Sequence, residues 1–369
     1  LVVPSLYYGT YLLSGDKRAG LAAALTGGFI CRNPAHYINW GKSPQLTSQT
    51  LLPIAIGVIV LASSPTEQKA LPWKQILLAA LISAGLVLTH YHVAVFLGVG
   101  GLVWLGSRFT YRYEDKKRLY RAILAFALVV CLALLFSLPW LLKVARKASG
   151  ITNQAGAATN GRRIDYLTLD IVLHWGLWPS TLIATGIASI WLLARRNKRR
   201  LALGLVACVA LVLLMANSPL AAMGFLSNSP VTMALYLPTS ILIGLAYADL
   251  GDAISNMPPL LSDERPRLRW AADRLLRIGL CCLALVVGVW GAGRILRLGL
   301  EPDRHFATEA DMRTMRWIEN NIPPRSVFVI QGRPWLHLYV ANDAAYWLPY
   351  LTGRRTLMPP MVYTLEGGG

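Results

Sequence analysis

Long stretches without charged residues, separated by short clusters of arginine and lysine, are the feature that most constrains this chain. Between Arg200 and Asp249, 48 consecutive residues contain no Asp, Glu, Lys or Arg, and the uncharged run between Lys74 and Arg108 has 33 residues. A membrane-spanning helix needs about 20 apolar residues. Charged residues make up 15% of the chain, against about 25% in soluble globular domains. The sequence therefore predicts a polytopic membrane protein rather than a soluble enzyme or a disordered chain.

The basic clusters predict the side of the membrane on which each loop lies. Arginines and lysines crowd 108–121 and 195–200, and cytoplasmic loops carry such an excess. Two spans after the second cluster, 249–277 carries further arginines, so counting spans places it in the cytoplasm as well. The next uncharged run is short, but Arg294 and Arg297 can extend their charges from a longer span to the interface. The chain beyond about residue 299 is then expected outside.

The uncharged run before Arg108 allows two arrangements. It is either one tilted span or two short spans that meet at Thr89-His90-Tyr91-His92. Two imidazoles and a phenol in the middle of the bilayer would need partners, so we favour two short spans and a total of about ten. The alternative, a single span with the histidines packed inside the bundle, stays open.

These patterns predict an all-α polytopic membrane protein with a small extracytoplasmic α/β appendage at the C-terminus. The predicted transmembrane helical domain is 1–298, and its outer loops are expected at about 33–49, 143–170 and 217–230. Because the chain starts without Met in an apolar stretch, we expect a fragment that lacks at least one N-terminal span.

The expected appendage, 299–369, has its own pattern. Thr308 is a candidate N-cap with Asp311 three residues on, which predicts a helix up to Asn321. The β-branched and aromatic residues of 326–330 predict a short strand. Residues 342–351 are either a second helix or a loop returning to the membrane.

The outer loop 143–170 is basic, although outer loops are usually depleted of lysine and arginine. One hypothesis is that it binds an anionic lipid phosphate or diphosphate. The alternative is that its first residues end a span while the others are solvated. The candidate phosphate-binding residues are Lys143, Arg146, Lys147, Arg162 and Arg163.

Several further residues are candidates for contacts with a donor or acceptor. His90 and His92 could bind a divalent metal, the one candidate cofactor, or act as acid and base; the alternative is that they are hydrogen-bonded structural residues. Trp175 and Trp178 fit an interfacial aromatic belt, and sugar stacking ranks below that. The remaining candidates are Asp165, Asp343, Arg354 and Arg355. The basic–aromatic pattern of nucleic-acid modules does not occur.

The order of features resembles the GT-C superfamily of membrane glycosyltransferases. The resemblance rests on the paired spans around Gly85–Tyr91, on Leu138-Pro139-Trp140, and on the helix and strand of 315–329. The segment 342–356 is similar to the region of the WWDYG motif of oligosaccharyltransferase catalytic subunits, with Asp343 at the position of the motif's acid, whereas the two leading tryptophans, the tyrosine and the final glycine are absent. In the superfamily the catalytic acid lies in the first outer loop. Residues 33–49 contain no Asp or Glu, so either the acid is expected upstream of Leu1 or this protein is a non-catalytic relative.

The resemblance implies transfer of a sugar from a polyprenyl-phosphate donor to an acceptor on the extracytoplasmic face. The implied partners are a lipid-linked sugar donor and membrane lipids, with no nucleic acid, and the implied location is a bacterial-type plasma (inner) membrane. Two alternatives stay open. One is a transporter or flippase of lipid-linked glycans, and the other is a non-catalytic structural subunit of a membrane complex.

Overall fold

The structure is a computed structural model that divides into two compact units, Leu1–Gly299 and Leu300–Gly369. It describes residues 1–38, 43–63, 71–110, 116–158, 167–218, 228–255, 266–299, 308–330, 332–335, 338–341 and 347–357. The described part of the chain is mostly helical, as its uncharged runs predict.

The first unit is built from α-helices with two short π-helical segments. The α-helices α1 to α13 are, in chain order, Val2–Ser14, Lys17–Leu25, Ala35–Ile38, Ser43–Ala62, Trp73–Thr89, Tyr91–Thr110, Lys116–Ala158, Leu169–Ile171, Pro179–Ala194, Arg199–Ala216, Asn228–Ala234, Tyr236–Ser255 and Pro266–Gly299. The π-helical segments are Thr26–Ile30 and Val172–Gly176. The buried core lies mainly where α1, α2, α4, α5 and α12 pack together.

Four stretches among the described residues are long and apolar enough to cross a membrane. They are Pro44–Ala62, Leu119–Lys143, Arg199–Ala216 and Pro230–Ile254. Three shorter apolar helices accompany them: Trp73–Thr89, Tyr91–Ser107 and Pro179–Ala194. These helices are consistent with a membrane protein, and the total of about ten spans stays a prediction.

The predicted break before His92 is confirmed. Helix α5 ends at Thr89 and α6 begins at Tyr91, and between them His90 has an extended backbone with φ −162° and ψ 115°. The run between Lys74 and Arg108 therefore forms two short helices, as favoured over a single tilted one.

Two segments expected as outer loops are in part helical. Helix α7 continues through Pro139 to Ala158, so 143–158 is not a loop. The physical reason is composition, since Lys, Arg, Ala and Gln favour helix and no proline follows before Ala158. Similarly, 43–49 forms the first turns of α4, where Pro44 suits the start of a helix because its missing N–H needs no partner there.

Glycines let several helices of the first unit touch backbone to backbone. A Cβ on Gly9 of α1 would lie 2.6 Å from atoms of Pro53 in α4, and a Cβ on Gly244 of α12 would lie 2.5 Å from the carbonyl oxygen of Ala19 in α2. A Cβ on Gly291 of α13 would collide with the carbonyl oxygen of Phe29. Small residues at such crossings are typical of membrane bundles, where close van der Waals packing drives helix association.

Ion pairs bring three segments together at one end of the bundle. Arg18 donates to Asp252 at 2.7 Å, which joins the start of α2 to the end of α12. Arg195 donates to Asp249 at 2.9 Å, and the Trp191 indole donates to the same carboxylate at 2.9 Å. The sequence predicts that 195–200 and 249–277 lie on the cytoplasmic side of the membrane, and that side stays a prediction.

The second unit contains two helices and two short sheets. Helices α14, Glu309–Asn321, and α15, Leu348–Thr352, pack through Met315, Ile318 and Leu348. Strand β1, Val327–Phe328, pairs in parallel with β4, Arg355–Thr356, and β2, Gly332–Trp335, pairs antiparallel with β3, Leu338–Ala341.

The predicted cap of the first tail helix is confirmed. Asp311 accepts from the Thr308 backbone N–H at 2.7 Å, while the Thr308 hydroxyl accepts from the Asp311 N–H at 3.2 Å, which together form a capping box. These two bonds satisfy backbone donors that the first turn of a helix leaves free.

The glycine crossing of α2 and α12 gives a first prediction. In Gly244→Ala the new Cβ meets backbone, which cannot rotate away, so the helices must separate and the free energy of unfolding should fall by roughly 1–3 kcal/mol. Thermal unfolding in detergent measures this loss. Gly186→Ala in α9, where a Cβ meets nothing within 4 Å, is the matched control and should keep or raise stability. Equal melting temperatures for the two variants would contradict the packing described.

Asp16 gives a second prediction, on pH. Hydrogen bonds from the Arg18 side chain are the main reason that the pKa of Asp16 lies below its ordinary value, although partial burial opposes them. Stabilisation by this carboxylate is therefore complete above the unfolded pKa of about 3.9 and is lost as pH falls through the lower folded value.

We expect the free energy of unfolding to depend less on pH on the acid side in Asp16→Asn than in wild type. At neutral pH the two proteins should differ only by a small constant amount. Thermal unfolding in detergent from neutral pH down to about pH 3 reports it. Asp170→Asn, which changes an exposed carboxylate on α8, is the control. An unchanged acid limb in Asp16→Asn would show that the Arg18 contact does not stabilise the fold.

Candidate functional site

Three segments far apart in sequence converge on the Trp178 indole at one end of the first unit. Arg32 follows the π-helical segment Thr26–Ile30, Trp178 precedes α9, and Arg294 lies in α13. Gly291 of α13 contacts the backbone of Phe29, so α13 packs directly on this π-helical segment. Arg294, one turn after Gly291, is thereby held near Trp178. We call Arg32, His36, Trp178 and Arg294 the Trp178 cluster.

Two guanidinium groups lie against the Trp178 ring. The Arg294 guanidinium carbon is 4.1 Å from the ring centroid and that of Arg32 is 4.9 Å away. Arg294 also lies 4.7 Å from the ring centroid of Trp290. A cation over an indole face is attracted by the ring quadrupole, an effect that is largest for tryptophan. The indole therefore holds two positive charges close together that would otherwise repel each other.

Hydrogen bonds fix the position of Arg32. Its Nε donates to Nδ1 of His36 at 3.3 Å, and its Nη1 donates to the His174 carbonyl oxygen. His36 is fully buried. Because Nδ1 accepts this bond, it carries no proton in this arrangement, so His36 adds no charge while it orients the guanidinium.

Asn33 joins the segment of Arg32 to the rest of this end of the bundle. Its side-chain amide is fully buried and donates to the carbonyl oxygens of Gly176 at 3.2 Å and Thr232 at 3.3 Å. These bonds connect residues 32–34 to the π-helical segment Val172–Gly176 and to α11. The backbone that carries Arg32 is thus held by the elements that flank Trp178.

Arg294 is the cation of the cluster that is open to an anion. Among the residues that the structure describes, no carboxylate forms an ion pair with it, and its guanidinium lies over the Trp178 and Trp290 rings. A guanidinium that stacks through its face keeps its N–H groups in the ring plane, where they can bind two oxygens of a phosphate or carboxylate. The cluster can therefore bind an oxyanion.

The predicted phosphate-binding residues are in part placed by the structure. Lys143 is exposed in α7, and Arg146 and Lys147 follow in the same helix. A spacing of three and four residues places these positions on one side of that helix. Arg162, Arg163, Asp165 and Asp343 lie outside the described residues. Their proposed binding role stays a prediction.

His90 and His92 come close together because the chain breaks at His90. Their ring centroids are 5.1 Å apart, and the Tyr91 ring lies 4.0 Å from that of His92. The break that a shared metal would require is therefore present. Within the described ranges, however, no three His, Cys, Asp or Glu side chains form a group that could hold a metal ion. The described residues alone do not fit a divalent metal.

Arg354 is engaged within the second unit. Its guanidinium donates to the carbonyl oxygens of Ile322 at 2.7 Å, Glu319 at 2.8 Å and Thr352 at 2.6 Å, which satisfies the C-terminal end of α14. These bonds are those of a structural residue, whereas Arg355 is exposed in β4. Ligand binding by either arginine stays a prediction.

Buried glutamines in α4 are a feature that the sequence patterns do not single out. Gln45 and Gln49 are 3% and 0% exposed, one turn apart, and neither atom of the Gln49 side-chain amide has a hydrogen-bond partner among the described residues. Ser48 between them donates to the Leu86 carbonyl oxygen at 3.0 Å, one turn before His90. These polar groups therefore lie along the contact of α4 with α5, within the helical core.

The sequence patterns do not single out the Trp178 cluster as a site. Arg294 fits the end of a span and Trp178 fits an aromatic belt. Arg32, Trp178 and Arg294 are each more than 100 positions apart in the chain, so the sequence does not show that they meet. An arginine at the end of each of two apolar segments was the available signal.

Comparison with known proteins identifies a family and a fold. A family model described as "Family of unknown function (DUF6541)" matches residues 5–362. No curated protein matches the chain. The chain is similar to the oligosaccharyltransferase of Archaeoglobus fulgidus in its apo form, with a TM-score of 0.54 and 13% identity over 98% of this chain and 52% of that one.

A second structure of that archaeal enzyme, tethered through a disulfide bond to an acceptor peptide containing the NVT sequon, gives a TM-score of 0.51 and 13% identity, covering 97% of this chain and 51% of that chain. This chain thus spans about half the length of these structures. At such identity the likeness shows the fold alone.

Asn33 gives a prediction about the integrity of the site. Asn33→Ala leaves two carbonyl oxygens without the donor they share, so the free energy of unfolding should fall by about 1–3 kcal/mol. Thermal unfolding in detergent measures the change. Asn321→Ala, which removes a bond from an exposed amide to the Trp317 carbonyl, is the control and should cost much less. If the two variants lost equal stability, Asn33 would not be the connection described.

Proposed function

The chain belongs to DUF6541, a family of unknown function, and from this membership and its oligosaccharyltransferase-like fold we propose that it is a membrane glycosyltransferase-like protein. In this proposal it takes a sugar from a polyprenyl-phosphate donor and transfers it to an acceptor on the extracytoplasmic face. Residues 299–369 and the end of the bundle that carries the Trp178 cluster would lie on that side of a bacterial-type inner membrane.

The observation that carries the proposal is the pair of arginines on Trp178. A polyprenyl-phosphate donor presents a phosphate at the membrane interface, and a guanidinium is the side chain best suited to bind it through two parallel hydrogen bonds. Arg294 offers such donors, and Arg32 adds a second positive charge beside the same indole. Tryptophan itself is favoured at the interface, where its ring is partly in lipid and partly in water.

The two arginines would act on the leaving group. When the bond between the sugar and the lipid phosphate breaks, negative charge grows on the departing phosphate oxygen. Guanidinium groups that are already oriented stabilise this charge without reorganising, which lowers the barrier. The bonds of Arg32 to His36 and to the His174 carbonyl provide this orientation.

The proposal assigns the phosphate-binding half of the reaction to the Trp178 cluster. Deprotonation of the acceptor would fall to an acidic residue outside the Trp178 cluster. The basic residues Lys143, Arg146, Lys147, Arg162 and Arg163 are further candidates for the donor phosphate, and His90, His92, Asp165, Asp343, Arg354 and Arg355 for contacts with the sugar or the acceptor.

Binding of a polyprenyl phosphate by purified protein in detergent tests this proposal. We expect wild-type protein to bind the phosphate more tightly than the uncharged polyprenol of the same length. Loss of one charged hydrogen bond costs about 1.5–3 kcal/mol, so Arg294→Gln should weaken binding of the phosphate by about tenfold or more. The affinity for the polyprenol should not change.

Arg297→Gln is the matched control, because Arg297 is an exposed arginine one turn further along the same helix. It should keep the wild-type affinity. Equal affinities for the phosphate and the polyprenol, or equal losses in Arg294→Gln and Arg297→Gln, would exclude the Trp178 cluster as the phosphate site. If binding is as expected, a second assay measures the release of polyprenyl phosphate from a lipid-linked sugar by membranes that contain the protein. Release indicates a transferase, and binding without release indicates a binding protein.

A further inference from the structure

A large apolar cavity lies within the first unit, apart from the Trp178 cluster. It has a volume of about 450 Å³ and is bounded by α1, α4, α6, α10, α11 and α12. Pockets that hold small organic ligands have volumes of about 300–1,000 Å³. The cavity is therefore large enough to hold a small ligand, and it is larger than a packing defect.

The cavity is elongated along two helices. On α10 its lining runs as one stripe from Arg200 through Gly204 and Cys208 to Val212, and on α6 it runs from Phe96 to Ser107. At a rise of 1.5 Å per residue, the stripe on α10 is about 18 Å long. Half of a hydrocarbon core about 30 Å thick is about 15 Å. The cavity thus has the length of one acyl chain of a phospholipid.

The lining matches an acyl chain in chemistry as well. Leu, Val, Ile and Phe side chains form most of it, and Gly204 leaves space, since a Cβ there would come no closer than 3.9 Å to Val103. Among the described residues that line the cavity, Arg200 is the one with a charge. It lies at the end of the stripe, where α10 begins.

Arg200 is at the basic end of the bundle. Leu12 and Leu13, which also line the cavity, come just before the 14–18 segment, and Arg200 belongs to the 195–200 segment. These are the segments that the Arg18–Asp252 and Arg195–Asp249 ion pairs join. The far end of the stripe, at Val212 and Val231, has apolar side chains. The polarity of the cavity is therefore that of a lipid, with a charged group at one end and hydrocarbon beyond it.

We propose that this cavity is a binding site for one acyl chain of an anionic phospholipid, whose phosphate-containing headgroup contacts Arg200. The site lies between α6 and α10 and is separate from the donor site proposed at Trp178, so it does not depend on the proposed function. An arginine near the membrane surface attracts anionic headgroups, whereas a zwitterionic lipid gains less from the same contact. The bound chain would fill the space between α6 and α10 and stabilise their packing.

Tryptophan fluorescence can test this directly, because Trp104 lines the cavity. Delipidated full-length protein in neutral detergent is titrated with phosphatidylglycerol or phosphatidylcholine carrying bromine atoms on the acyl chain, which quench tryptophan at contact. The difference between wild type and Trp104→Phe isolates the signal of this one indole. We expect the Trp104 component to saturate, with an apparent affinity about fivefold higher for phosphatidylglycerol.

Two pairs of variants separate the acyl chain from the headgroup. Gly204→Leu adds a side chain into the cavity and should abolish the saturable component, whereas Gly98→Leu adds the same volume at an exposed glycine of α6 with open space around it and should keep it. Arg200→Gln should remove the preference for phosphatidylglycerol, whereas Arg199→Gln, a neighbouring arginine that does not line the cavity, should keep it.

The outcomes decide between a lipid site and other occupants. The proposal is overturned if quenching of Trp104 does not saturate with either lipid, if both lipids bind equally to wild type, or if Arg199→Gln and Arg200→Gln have the same effect. It is also overturned if a polyprenyl phosphate displaces the brominated lipid and Arg200→Gln does not change lipid binding. The headgroup would then lie at the end of the cavity away from Arg200. If Gly204→Leu does not fold, Val209→Phe, also in the lining, replaces it, and the comparison of lipids on wild type is decisive without either variant.

Discussion

Contact between helix backbones at glycines is the constraint on which the rest of the first unit depends. Within lipid the hydrophobic effect does not drive helices together, so association relies on close packing and on polar contacts. Gly244 allows α2 and α12 to meet, and Gly9 allows α1 to meet α4. Gly291 has the further consequence of bringing α13 onto residues 26–30. A side chain at Gly291 would move Arg294 away from Trp178, so the geometry of the proposed phosphate site is set by a residue that takes no part in its chemistry.

The two ends of the bundle use arginine in different ways. At one end Arg18 and Arg195 pair with Asp252 and Asp249, so positive charge is compensated by carboxylates and the contacts connect helices. At the other end Arg294 stacks on indole rings, which reduce repulsion without neutralising the charge. Since an indole does not occupy the N–H groups of a guanidinium, the second arrangement keeps them available to an anion. This difference, rather than the number of arginines, distinguishes the ion-paired contacts of Arg18 and Arg195 from the candidate phosphate site at Trp178.

The sequence predicts those features that depend on neighbouring residues. The break at His90 and the Thr308 capping box both follow from local chemistry. The sequence does not predict that α7 continues as helix beyond Lys143, because the composition of a basic segment after Pro139 fits a loop and an exposed helix equally well. The segment forms a helix because it is rich in residues that favour helix and no proline interrupts it before Ala158.

What the sequence does not predict is which distant residues meet. Arg32, Trp178 and Arg294 come together through the Gly291 contact and the buried Asn33 amide. The sequence around a glycine or an asparagine in an apolar region does not show which residue it contacts. The lipid cavity is a similar case, since the stripe on α10 has the same pattern as a stripe that packs against a helix. Whether such a stripe faces a helix or a cavity depends on the volume opposite it, and here a Cβ on Gly204 would fit in ordinary van der Waals contact with Val103 at 3.9 Å. The fold that this chain shares with an oligosaccharyltransferase at 13% identity carries no residue roles across, so both sites follow from the contacts of this chain's own side chains.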